Sequence, residues 1–292
     1  MFPKEYETQV APWPPVLPQA LPPGFEQAGI PDDELKAGLE RFQPIQLDAM
    51  ESVALLKRVE VKYVMPAGML PFILDALYDR YAVLEVAGQR LNRYRTLYFD
   101  TADFAMYRRH HAGAADRYKV RSRTYVDSDS SFLEVKHKTN RKRVIKSRIP
   151  TSEQINLLRG EAAGFVNDAC PYDPNRMQPT LGNSYRRITL ADTVRQERVT
   201  LDVDLRFDGA GRSVSLPHIV IAEVKQERFS QASEFIRLMH QYHVRRNGFS
   251  KYCMGASMVY PELKQNRFKK KHRLLARLAE WQPTERIGHE LY

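Results

Sequence analysis

The chain has only two cysteines, Cys170 and Cys253, far apart and outside any Cys-x-x-Cys or Cys/His ligand spacing. That argues against a disulfide framework and a structural zinc site, and it fits a reducing compartment. No run approaches the roughly 18 apolar residues of a membrane span, and the N-terminus lacks the charged-then-apolar layout of a secretory signal. A soluble, cytoplasmic protein is expected. Also missing are a GxxxxGK[ST] loop, a GxGxxG fingerprint and the kinase motif set, so no glycine-rich loop is available to hold a nucleotide. Ser/His/Asp and Cys/His constellations are absent as well.

Positive charge is plentiful. The 45 Lys+Arg outnumber the 35 Asp+Glu, giving a formal net charge of +10 that calls for an acidic partner. The charge concentrates between Asp116 and Ile149. In Lys119-Val120-Arg121-Ser122-Arg123 and in Glu134-Val135-Lys136-His137-Lys138, residues two apart share one face of a strand. Lys146 and Arg148 repeat that spacing on a third strand. One basic strand is ordinarily a solvated face. Three in succession point to a polyanion, because like charges opposed across a sheet destabilise it. If the sheet closes into a barrel, these rows line its interior and make a phosphate tunnel.

Along the chain, residues 1–45 read as a proline-rich tail of extended geometry, around APWPPVLPQALPPGF. Residues 46–262 form the folded domain. It opens with a helix over Asp48–Lys57 and a strand carrying Arg58, Glu60 and Lys62 on one face. Pro66 starts an amphipathic helix reaching Tyr78, and Asn92–Thr101 is an aromatic strand that ends in a turn and a helix cap near Asp100–Phe104. Thr151 starts a helical segment toward Asn167. Further strands place Tyr185 with Arg187, then Arg198, Thr200, Asp202 and Asp204 on one face, then Glu223 with Lys225. A helix over Ser230–Tyr242 follows, and Asn247–Tyr252 turns into another. The strands are too close in sequence for parallel crossovers, so the fold class is α+β with an antiparallel β-barrel. His110-His111 reads as a solvated helix end. Residues 263–292 form a basic C-terminal helix or tail, in which KQNRFKKKHRLLAR reads as a solvated helix. Contact with an acidic membrane surface or a membrane-protein partner is its second reading. Tyr94, Tyr98 and Tyr125 are core aromatics in this reading, and no specific nucleic acid is expected.

Seven motifs in order resemble the VTC polyphosphate-polymerase domain of the triphosphate tunnel metalloenzymes, related to the CYTH group. They are Arg58-x-Glu60-x-Lys62-Tyr63, Lys119–Arg123, Glu134-Val135-Lys136-x-Lys138, Ser184-Tyr185-x-Arg187, Arg198-x-Thr200-x-Asp202, Ala222–Lys225 and Phe249-Ser250-Lys251-Tyr252. The resemblance implies an eight-stranded antiparallel β-barrel tunnel with flanking helices. Its implied activity is metal-dependent transfer of the terminal phosphate of ATP to inorganic polyphosphate, with Mn²⁺ or Mg²⁺. It implies phosphate contacts at Lys62, Arg121, Arg123, Lys136, Lys138, Lys146, Tyr185, Arg187, Arg198, Ser250 and Lys251. Of these, Lys62, Arg121, Arg123, Lys136 and Arg187 are implied to be catalytic. Glu223 and Glu60 are the implied metal ligands. The chain departs from the ExExK of the tunnel hydrolases, with Arg58 at the first glutamate. It departs also from the eukaryotic final motif, with Gly248 in place of a lysine, for which Arg245 or Arg246 is the candidate substitute.

Overall fold

Period-two alternation becomes strand wherever one face is apolar and the other charged. The computed structural model, which describes residues 30–50, 59–141 and 143–281, bears this out along most of the sheet. Its strands are β1 (Gln43–Ile45), β2 (Val59–Pro66), β3 (Ala82–Leu84), β4 (Asn92–Thr101), β5 (Arg117–Tyr125), β6 (Ser130–Lys138), β7 (Val144–Thr151), β8 (Met177–Asp192), β9 (Glu197–Gly209), β10 (Arg212–Leu216) and β11 (Ile219–Gln226). The helices are α1 (Asp32–Glu40), α2 (Leu70–Leu77), α3 (Ala105–His111), α4 (Gly160–Ala169), α5 (Glu234–Gln241), α6 (Lys251–Val259) and α7 (Lys269–Ala279). The fold is α+β. Eight strands run antiparallel in the order β2-β11-β9-β8-β4-β5-β6-β7.

The sheet's outer face is apolar and carries two helical layers. Val61, Tyr63, Leu190, Leu201 and Val224 pack against α1, α2 and α5 through Leu39, Ile73, Leu77, Phe235 and Met239. Val120, Leu133 and Val135 meet Val166 of α4. On the inner face, Tyr98, Leu181, Phe207 and Ile221 surround α6 through Tyr252, Cys253 and Ala256. The sheet thus curls around a buried helix at one end, and its charged inner rows occupy the other.

The curl is not a closed barrel. Among the described residues no ladder joins β2 to β7. The free edge of β2 is already taken: Arg246 bridges to Tyr63, and Asn247 N–H donates to the Lys62 carbonyl at 2.8 Å. β7 presents exposed Lys146 and Arg148 with Pro150, a charged edge that resists further pairing. The two ends still face each other, because Glu60 of β2 lies in the field of Lys136 on β6 and Lys146 on β7.

Three local expectations are corrected. Asp204 leaves the face of Asp202, because the β8–β9 register shifts there and Asp204 adopts φ 52°; its carboxylate turns to Arg186 at 2.5 Å. Thr151 ends β7 instead of starting a helix, which begins only at Gly160. His111 is buried, with its ring 5.5 Å from that of Phe268, so the His110-His111 pair is packed and not a solvated helix end. The stretch read as tail contributes α1 and β1 to the packed domain, with Leu35, Leu39 and Phe42 in the core. The proline-rich stretch, Arg58 and most of the Asp48–Lys57 segment lie outside the described residues.

Candidate active site: a basic tunnel

Residues opposite each other in an antiparallel pair share a face, so the register assigns the inner wall. Lys119 lies opposite Lys136, which lies opposite Lys146. Arg121 faces Glu134 and Tyr98, Arg123 faces Thr96, and Lys138 faces Arg117. Arg187 faces Asp202, Arg198 faces Lys225, and Lys62 faces Glu223. Ser250 and Lys251 enter from the first turn of α6. All thirteen residues expected at the site therefore face the curl. Strand period and register set the placement of the eleven that lie on strands, and α6 sets that of Ser250 and Lys251.

Three clusters divide the wall. At the β2 end, the Lys62 ammonium contacts the Glu223 carboxylate and stands 3.3 Å from Glu60, while Lys225 reaches Glu223 at 2.6 Å. Burial, then the neighbouring ammoniums of Lys225, Lys136 and Lys251, bring Lys62 down to about 7 against the pull of Glu60. Glu60 is held at about 2: burial acts upward, but Lys62, Lys136, Lys225 and Lys146 outweigh it.

In the middle, Arg187 grips Asp202 with both arms, at 2.5 and 2.9 Å, and Lys251 bonds the same carboxylate. Despite its burial, Asp202 is kept well below the usual carboxylate range by Arg187 and Lys251. Tyr185 stacks on Tyr94 at 5.1 Å and underlies Lys251 at 4.3 Å, with its hydroxyl buried and unpartnered. The Arg123 Nε is also buried without a partner. On the third wall, Arg121 donates to Glu134 at 2.6 Å, and Arg123 lies 4.0 Å from it.

α6 joins opposite walls. Ser250 caps it by accepting from Cys253 N–H at 3.2 Å, and its hydroxyl accepts from Lys119 of β5 at 2.8 Å. One residue on, Lys251 bonds Asp202 of β9. A helix N-terminus flanked by two lysines favours anions through its free N–H groups and dipole.

The resemblance implied no individual contacts for Lys119, Lys225, Asp202 and Glu134. Two-residue spacing had already put Lys119 in the basic row with Arg121, and Lys225 on the face of Glu223. The carboxylates carry no such signal, because their partners are set by register. Of the two arginines considered for the cation at Gly248, Arg246 turns onto the Phe229 ring at 4.2 Å, and Lys271 of α7 bonds the Gly248 carbonyl.

Among the described residues no group of three or more His, Cys, Asp or Glu forms a metal centre. The oxygen-only pair Glu60 and Glu223 converges on a single cation, the Lys62 ammonium. Such a pair fits a hard divalent ion that takes its other ligands from phosphate oxygens and water.

Fold and wall together define a triphosphate tunnel protein: a curled antiparallel sheet whose inner face gathers cations around a few carboxylates. Residues 57–260 match the model of the VTC domain family, and the chain belongs to that family. Proteins of this tunnel class act on triphosphates or polyphosphate, generally with divalent metal ions. No curated protein matches the chain. Among solved structures, a proposed adenylate cyclase from Bacillus halodurans is similar at TM-score 0.46 and 14% identity, covering 73% of this chain and 97% of its own. The proposed adenylyl cyclase HpAC1 from Hippeastrum, described with a dominant triphosphatase activity, gives 0.46 and 15%, with 69% and 96% covered. A proposed adenylate cyclase from Vibrio parahaemolyticus gives 0.43 and 15%, with 69% and 98% covered. Likenesses this loose carry no argument about activity.

Proposed function

We propose that the tunnel synthesises inorganic polyphosphate from ATP. The observation that carries this reading is an inner wall of Lys and Arg from β2, β5, β6, β8, β9, β11 and α6, with Glu60 and Glu223 meeting at the Lys62 ammonium. The terminal oxygen of the growing chain attacks the γ-phosphorus of ATP. A new P–O–P bond forms, and the bond to ADP breaks with its electron pair leaving on ADP. Since the attacking oxygen is already ionised near neutral pH, no general base is required. The protein's work is positioning and charge neutralisation. Lys62, Arg121, Arg123, Lys136 and Arg187 hold the reacting phosphoryl oxygens, the arginines as forks and the lysines as point charges. Lys138, Lys146, Tyr185, Arg198, Ser250 and Lys251 hold the remaining phosphates. Glu223 and Glu60 would hold Mg²⁺ or Mn²⁺, which when bound neutralises charge across neighbouring phosphates.

The test is incubation of the purified chain with terminally labelled ATP and Mn²⁺, with products resolved by gel for wild type and Glu223→Ala. Labelled chains that disappear in the variant are expected. Orthophosphate alone would make the protein a hydrolase, and tight ATP binding without turnover a polyphosphate or inositol-polyphosphate sensor.

A further inference from the structure

Beyond Lys119, toward α7, the inner wall goes on. Arg117 and Lys138 oppose each other one step further along β5 and β6, and Arg117 itself donates to the neutral Ala114 carbonyl at 3.3 Å. From α7, Lys271 reaches in to Asn247 Oδ1 at 2.6 Å and to the Gly248 carbonyl, two residues before Ser250. Neither of those partners is charged. From α3, the His110 Nδ1 is buried with no hydrogen-bond partner. Its ring lies 6.4 Å from that of Phe268 at the start of α7, and burial first, then Lys119, Arg117, Lys138 and Lys271, push its imidazole down to about 3.

The elements carrying these groups are fastened to each other. His272 of α7 bonds Ser257 of α6 at 2.9 Å, Leu275 is buried in the same core, and Arg267 donates to the His111 carbonyl at 3.1 Å. Lys271 and His110 are thus held by rigid neighbours. From Arg123 to Arg117 the inner row of β5 extends about 20 Å. That is longer than a triphosphate.

We propose that Lys271, the Arg117–Lys138 pair and His110 form a second phosphate subsite, which holds a polyphosphate chain beyond the phosphates that react. The inference rests on the tunnel reading above and extends it to α7, which lies outside the family match at residues 57–260. Lys138 then binds chain and not reacting phosphate. A neutral imidazole N–H donates to a phosphate oxygen, and the three cations neutralise its charge.

The test is titration of the full chain with tripolyphosphate and, separately, with a linear polyphosphate of medium length. The variants are Lys271→Ala, Lys271→Arg and Arg117→Ala, with Lys270→Ala as control on the exposed side of α7. Polyphosphate affinity is expected to fall about tenfold in Lys271→Ala and Arg117→Ala, with tripolyphosphate affinity unchanged. Lys271→Arg restores it, and Lys270→Ala changes neither. Unchanged polyphosphate affinity in both alanine variants overturns the subsite. So does an equal loss for both ligands, which would mean that Lys271 acts only through the Gly248–Ser250 turn. Should Lys271→Ala fail to fold, Arg117→Ala decides. If wild type binds no tripolyphosphate, the tunnel reading itself falls; if it binds but longer chains gain nothing, only the subsite does.

Discussion

Asp202 is a buried carboxylate shared by Arg187 and Lys251, so its charge holds two inner cations in place. Removing it leaves both without their counter-charge in a poorly solvated wall, a change that typically costs about 3–5 kcal/mol for a buried pair. Asp202→Asn should therefore melt lower than wild type, and tripolyphosphate should recover more stability in the variant, since the ligand supplies the missing negative charge. Thermal melts with and without ligand check this; an equal ligand-induced gain in both proteins would contradict it. Lys119 gives a pH signature. Burial, followed by Arg121 and Arg117 and opposed by Cys253 and Glu60, lowers its pKa below 10.5. Between that lowered value and 10.5 the unfolded chain carries a proton that the folded chain lacks, so this group's contribution to stability rises with pH across the window. A phosphate beside Lys119 restores the proton. Tripolyphosphate binding should then take up protons in that window and weaken as pH climbs toward 10.5. Calorimetry in buffers of different ionisation heat reads the uptake, and proton release instead would rule out this role for Lys119.

Among the elements, α6 sets how closely the sheet can curl. A methyl group on Gly255 would stand 2.4 Å from Phe207 Cδ1 and 2.8 Å from Leu181 Cδ2. Gly255→Ala should cost about 1–3 kcal/mol by overpacking. Because it displaces the helix bearing Ser250 and Lys251, it should also weaken tripolyphosphate binding. Gly164→Ala on α4 meets nothing within 4 Å and should instead stabilise by about 0.4–1 kcal/mol. Denaturant melts of both variants test the contrast; similar shifts would mean that α6 has room to move. The same helix shows where sequence legibility ends. β4 was readable to its termini from its aromatic and β-branched run, and the inner rows of β5 and β6 were readable by residue, because each of those two strands puts one face in an apolar core and its cations on the other. α6 is buried on nearly every side, with Tyr252, Met254, Ala256 and Ser257 all enclosed, so it has no amphipathic period from which to infer its place inside the curl. The extra residue at Asp204 and the capture of β2's edge by Arg246–Asn247 depend on pairing between distant segments. Local alternation carries no trace of either.

At the scale of the molecule, the tunnel concentrates part of a net charge of +10 on one concave wall. Lys119, Lys136 and Lys146 stand in line across three strands. Such a wall repels itself, and its carboxylates offset only part of the cost, so the fold is under a strain that a polyanion relieves. α7 does not redirect this charge to a bilayer through an apolar face, because Leu275 is buried and Leu274 and Leu278 pack on the core. The consequence is a large ligand-linked stabilisation. At tripolyphosphate about 100 times above its dissociation constant, binding to the folded state alone adds about 2.7 kcal/mol. For a chain of this size that corresponds to a rise in Tm of roughly 4–5 °C. Sodium chloride at matched ionic strength screens the same repulsion without occupying the wall and should raise Tm by much less. Arg121→Ala should keep the salt response while losing most of the tripolyphosphate response, since it removes one fork from the site and little from the core. Equal responses to salt and tripolyphosphate would reduce the inner rows to a screened basic surface, and the tunnel would then have no claim to be a binding site.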